Sequence, residues 1–238
     1  MSDNTPGMEF VALNEAYLKT APEPGSKYLP DWMRDAPSNV GDSPYASIKK
    51  CPGIFDAATM GYVARSPCDI QIMSDVDKKE MTYRAAHGRN DDFLSTHNLQ
   101  TFTEHYPFLD EVWPVSLKVD TKFLVRAPDG YSLAFVPLYH TPQYRYVCAI
   151  YGVADTFGMG YPRHLLVNLF VRRFNGTYMI NRGDPLCLLV PFRTERFSHT
   201  SRAATDEEIK KFESFQEEMG LEFQHNSLKT HRHKKQYA

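Results

Sequence analysis

Tyr146 to Phe192 reads YVCAIYGVADTFGMGYPRHLLVNLFVRRFNGTYMINRGDPLCLLVPF, and its succession of β runs and turns decides the fold. Tyr146–Val153 and His164–Arg172 are apolar, β-branched and aromatic runs of strand length. Between them lies a Gly-rich corner, Ala154-Asp155-Thr156-Phe157-Gly158-Met159-Gly160. Asn175-Gly176 is a tight-turn signal, and Tyr178 to Phe192 continues as β structure around Gly183-Asp184-Pro185. An acid, Asp155, is therefore set in a corner between two strands.

Working outward, Pro67-Cys68-Asp69-Ile70-Gln71-Ile72-Met73 alternates apolar and polar side chains, as a strand with one buried face does. Val115 to Val125 and Tyr131 to Leu138 are expected to form a hairpin about Pro128-Asp129-Gly130. Residues 75–112 are polar and His-bearing and predict an irregular surface excursion. Residues 1–45 predict an extended N-terminal arm, because Pro22-Glu23-Pro24-Gly25-Ser26 and Pro37-Ser38-Asn39 break any long helix. Trp32 and Met33 are its docking side chains. Near the end, Thr205-Asp206-Glu207-Glu208 is a capping box that opens a helix over 201–222. Ile209, Phe212, Phe215 and Met219 form its packing stripe and Gly220 its stop. A basic tail occupies 223–238. The expected fold is mainly β: a single-domain jelly roll or distorted β-barrel over 46–200, with an arm and one C-terminal helix.

The 238 residues are 42% hydrophobic and 13% aromatic, enough to fill a core, and the 16 prolines agree with a loop-rich β protein. A formal charge of −2 argues against nucleic acid as the partner, except weakly through the tail at His231-Arg232-His233-Lys234-Lys235. No stretch approaches the roughly 20 apolar residues of a membrane span, and Met1-Ser2-Asp3-Asn4-Thr5-Pro6 lacks a secretory pattern. Cys51, Cys68, Cys148 and Cys187 are widely spaced and read as reduced, structural thiols. His87, His97 and His105 share the polar excursion without the tight spacing of a zinc site, so no metal is assigned.

Gly152-Val153-Ala154-Asp155, Leu165-Leu166-Val167-Asn168-Leu169-Phe170 and Ile180-Asn181-Arg182-Gly183-Asp184-Pro185-Leu186-Cys187-Leu188-Leu189 occur in that order. This C-terminal half resembles the dUTPase and dCTP-deaminase β-barrel family, over about a fifth of the chain (Ile150 to Val190). The resemblance implies that Asp155 corresponds to the acid that activates water. The chain departs from that family in its phosphate element, where Pro128-Asp129-Gly130-Tyr131-Ser132 stands, and in Phe157 and Gly158 after the acid. A wider set, Lys49-Lys50-Cys51-Pro52, Gly61-Tyr62-Val63, Cys68-Asp69-Ile70, Pro128 to Ser132, Gly152 to Thr156 and Pro191-Phe192-Arg193, resembles an uncharacterised protein family of tailed phages and bacteria. That likeness implies a phage-type protein, acting in the host cytoplasm or carried in the virion.

Three functions remain open. The first is a non-catalytic binding or assembly protein, a homo-oligomer on a dUTPase-like barrel. The second is a nucleotide-binding or nucleotide-hydrolysing protein. There Asp155 orients water or sugar, Tyr131 stacks on the base, and Arg126 or Arg163 meets phosphate. The third is a metal-dependent cupin-like oxygenase using His140, Asp155 and His199. Asp155 has an ordinary reading beside these, an Asx turn accepting from the amides that follow it.

Overall fold

The structure, a computed structural model, describes residues 7–37, 52–85, 90–98, 111–156 and 163–225. It is mainly β. Two compact units are present: Pro6–Tyr28 with Ala58–Thr194, and Leu29–Ala57 with Met1–Thr5 and Glu195–Ala238.

The larger unit holds three antiparallel sheets. In the first, β1 (Glu9–Ala12), β7 (Val112–Arg126), β11 (Arg163–Arg172) and β9 (Val147–Ala149) lie side by side, and β6 (Leu94–Asn98) also pairs with β7. The second runs β10 (Gly152–Ala154), β8 (Tyr131–Val136), β13 (Pro185–Arg193), β3 (Tyr62–Arg65) and β2 (Glu23–Pro24). The third is β12 (Gly176–Ile180), β4 (Ile70–Asp75) and β5 (Glu80–Ala85). No sheet closes into a barrel among the described strands. One core joins them, with Ile70, Ile72, Leu117, Phe123, Leu133, Leu165, Leu169 and Leu189 fully buried. Alternation explains the assignment: in β11, Leu165, Val167, Leu169 and Val171 turn inward while the residues between them do not.

The middle of β7 is bent. Lys122 takes a positive φ of 65°, and its amide donates to the Asp120 carboxylate at 2.8 Å. Across the strand pair, the register slips between His164 and Leu166. Such a bulge turns a strand and sharpens its twist. Here it is the point where β7 changes outer partner, from β6 at Val115–Val119 to β1 at Phe123–Arg126.

Several expectations are corrected. Val115–Val125 and Tyr131–Leu138 form no hairpin: β7 and β8 belong to different sheets, so the Pro128-Asp129-Gly130 turn is an arch between layers. Tyr146–Val153 is not one strand either. It breaks at Ile150-Tyr151, with β9 in one sheet and β10 in the other. The excursion of 75–112 contains real strands, since Met81, Tyr83 and Ala85 face inward from β5 and β6 lies on β7. Residues 9–12 and 23–24 hydrogen-bond into the sheets of their own chain, and Met8, Phe10, Tyr17 and Ala21 pack on the core.

In the other unit, α1 (Asp31–Asp35) buries Met33 and leaves Trp32 half exposed. Among the described residues the other α-helices are α2 (Pro52–Thr59), α3 (Asn90–Phe93, in the larger unit) and α4 (Asp206–His225). The capping box forms: the Thr205 amide donates to Glu208 at 2.8 Å, and the Glu208 amide donates to Thr205 Oγ1 at 3.3 Å. Arg202, then the Thr205 backbone, hold the Glu208 carboxyl down at about 2. The helix continues through Gly220, and Ile209, Phe212 and Phe215 are exposed.

Candidate functional site

The four residues assigned to the candidate site all lie among the described residues. Arg126 ends β7, and Tyr131 begins β8 just beyond the arch. Arg163 begins β11 opposite Val125, and Asp155 follows the last residue of β10. The connectivity thus gathers all four at one end of the sheets. Arg193 joins them, because it stands opposite Tyr131 in register.

Their side chains are largely engaged with the fold. Arg126 Nη1 donates to Glu9 on β1 at 2.9 Å, an exposed ion pair. Arg193 Nε donates to the Tyr131 hydroxyl at 3.2 Å, and its guanidinium stands 5.7 Å from the ring centroid. Thr194 closes the arch, its amide donating to the Gly130 carbonyl at 2.9 Å. Arg163 is half buried, and its Nε has no hydrogen-bond partner. An unpaired buried donor costs about 1–3 kcal/mol, so this group is suited to an acceptor.

Asp155 does not face the same way as its neighbours. From Gly152 to Thr156 exposure alternates: Val153 and Asp155 are exposed, Gly152 and Ala154 half buried, and Thr156 buried. Thr156 is therefore the inward group at this corner, and its Oγ1 is buried without a partner. The resemblance pointed to the acid. Strand alternation continued two residues past β10 puts the Thr156 hydroxyl, and not the Asp155 carboxylate, on the inward face.

The Gly183-Asp184-Pro185 turn is structural. Asp184 accepts from the Asn181 amide at 2.7 Å, and Arg182 donates its own amide to Asp69 at 2.6 Å. The Gly183 amide donates to the Ser66 carbonyl at 2.8 Å, the Ser66 amide donates to the Asp184 carbonyl at 2.9 Å, and Gly183 has a φ of 90°. The Asp184 carboxylate is thus spent within its own turn, while the Asp69 carboxylate and the Ser66 backbone tie the two loops together.

For the oxygenase arrangement, no group of three or more His, Cys, Asp or Glu side chains suited to a metal occurs among the described residues. Burial lowers the His140 pKa, so its imidazole is neutral near pH 7. His199 is exposed and belongs to the other unit. His97 is exposed on β6, while His87 and His105 lie outside the described residues. Cys68, Cys148 and Cys187 are free thiols, and burial raises the pKa of each, that of Cys68 to about 11. They are protonated at neutral pH and poor nucleophiles. Cys51 lies outside the described residues.

No protein-family model and no curated protein matches the chain. Solved structures do. A dUTPase from phage phi11 of S. aureus, described with a structural Mg(II) ion, overlaps at a TM-score of 0.39 and 13% identity, covering 84% of this chain and 99% of that one. The dUTPase of Staphylococcus bacteriophage 80alpha, one variant of which was described with dUpNHpp, overlaps at 0.39 and 11%, covering 84% and 98%. These are proteins of the class that Ile150–Val190 resembles. Overlaps of this size carry neither ligand nor activity across. No helix among the described residues is long and apolar enough to cross a membrane.

Proposed function

We propose that this chain is a binding and assembly protein of phage type, a homo-oligomer that works in the host cytoplasm or the virion without catalysing a reaction. One observation carries this reading: large apolar side chains gather on the surface around one sheet edge, with Tyr139, Tyr151 and Val153 each more than half exposed. Exposed apolar clusters mark interaction sites on folded proteins. The outward turn of Asp155 and the pairing of Arg126 with Glu9 support the same reading.

A second reading is favoured by the strand ends that carry Arg126, Tyr131, Asp155 and Arg163, and by the unpartnered Arg163 Nε and Thr156 Oγ1. It is a nucleotide-binding or nucleotide-hydrolysing protein in which Asp155 orients water or sugar, Tyr131 stacks on the base, and Arg126 and Arg163 meet phosphate. A thermal-shift screen with nucleoside mono-, di- and triphosphates separates the two, because a ligand bound only by the folded chain raises its melting temperature. A flat screen supports assembly. A nucleotide-specific shift lost in Asp155→Asn or Arg163→Gln overturns it in favour of the second reading.

A further inference from the structure

The spacing of Ile209, Phe212 and Phe215 predicts a packing stripe, yet on α4 the three are exposed, at 43%, 59% and 55%. They are not alone. Every residue from Phe192 to Phe215 is exposed, with Phe197 at 80%. An amphipathic helix ordinarily turns its apolar stripe to a core. Here the stripe is built and left uncovered.

A helix with an uncovered stripe depends on local interactions, because an isolated helix of this length is marginal in water. Thr194 fixes the chain to the arch, its amide and Oγ1 donating to the Gly130 carbonyl at 2.9 Å and 3.1 Å. Glu195–Ala204 then runs without helix or strand. Beyond this tether the cap is local. Arg202 donates from Nη1 at 2.8 Å and from Nη2 at 2.6 Å to the two carboxylate oxygens of Glu208, which also accepts from the Thr205 amide.

Charge identifies the occupant. In sequence, Asp206–His225 carries seven carboxylates and two lysines. Glu213 lies one turn beyond Ile209, at the border of the stripe. A second copy of α4 would set like charges against each other, and anionic lipid or nucleic acid would be repelled in the same way. Residues 226–238 are basic, but Leu228 and Tyr237 are their only large apolar side chains. Where helices pair, charges beside the apolar seam select the partner. An acidic border selects a cationic one.

We propose that α4 is a tethered docking helix for a second protein, whose matching surface is an apolar stripe bordered by lysine or arginine. Ile209, Phe212 and Phe215 bury in that surface, and Glu213 pairs with its border. The proposal goes beyond the assembly reading and uses a different surface, so the order of the oligomer does not enter it.

Fluorescence anisotropy of a labelled synthetic peptide, titrated with the full chain, tests it. The probe sets leucines on one helical face and lysines along both borders of that face. A control peptide carries glutamate in place of each lysine. The lysine peptide binds, and Phe212→Ala combined with Phe215→Ala weakens binding at least about tenfold. Raising NaCl from about 0.05 to about 0.5 M weakens it severalfold. Alanine favours helix, so circular dichroism of the double variant keeps the helical signal. The glutamate peptide and phosphatidylserine vesicles do not bind. A lysine peptide that fails to bind, or that the double variant binds equally well, overturns the proposal. Vesicle binding lost in the double variant, or an oligomer that the double variant dissociates, also overturns it and gives the stripe to lipid or to a second copy.

Discussion

The two flanks of the larger unit use the same architecture for opposite ends. On the β2–β3 flank, polar groups are tied down. Arg65 donates from Nε to the Gly183 carbonyl at 3.1 Å and from Nη1 to the Ala21 carbonyl at 3.4 Å, with Glu23 at 3.6 Å. Tyr28 donates to the same Glu23 at 2.9 Å, and Lys27 reaches its other oxygen at 3.0 Å. On the β9–β10 flank Val147–Ala154 carries no charge, and Tyr151 and Val153 face solvent. A flank locked by a polar network contributes to the stability of one chain. A bare flank contributes little until something covers it.

The largest effect is expected on the locked flank. Gly61 has a φ of 62°, and an added Cβ would run into the Leu189 carbonyl. Gly61→Ala therefore combines backbone strain with a clash against a central strand and should cost about 2–4 kcal/mol, read by urea unfolding. A cost below about 0.5 kcal/mol would mean that β3 and β13 are not held this closely. Arg65→Ala comes next. It takes the Arg65 donor from the Gly183 and Ala21 carbonyls and a positive charge from beside Glu23, for an expected loss of about 1–3 kcal/mol.

Alkaline titration probes the same network more gently. Burial first, then the hydrogen bond to Glu23, pushes the Tyr28 phenol up to about 12 from 10.0. A folded-state pKa above the unfolded value stabilises fully below pH 10.0 and is lost as pH rises toward 12. Burial does the same for Tyr178, also to about 12. Unfolding midpoints should fall across that window, and Tyr28→Phe should flatten the fall. The smallest effect belongs to the bare flank, where Val153→Lys should change monomer stability by no more than about 0.5 kcal/mol. A large loss there would show that the edge is already covered within the chain.

Much of the β content was legible because alternation is a local signal. Ile70, Ile72, Leu165, Val167, Leu169 and Val171 declare their buried face in sequence, and Thr205 with Glu208 declares a helix start. What stayed hidden is non-local. Pro128-Asp129-Gly130 specifies a reversal of direction, but whether the chain returns beside β7 or crosses to another sheet depends on β13 and β10 competing for β8. Ile150-Tyr151 contains no breaker, so the switch between sheets left no mark in an apolar run. The Lys122 bulge is written in a lysine, the wrong residue type for a positive φ, and is held by Asp120 two residues earlier. Of the candidate site, the sequence marked Arg126, Tyr131, Asp155 and Arg163 near strand ends and turns, but the burial of Thr156 beside the exposed Asp155 follows from where β10 lies, which no local signal carries.

Hydrogen exchange at two protein concentrations tests the contrast between the flanks most directly. At the higher concentration, amides from Cys148 to Ala154 should exchange more slowly than in the dilute, dissociated chain, while Glu23 to Tyr28 should exchange alike in both. Protection confined to Glu23–Tyr28, or exchange at Cys148–Ala154 that does not depend on concentration, would contradict the account.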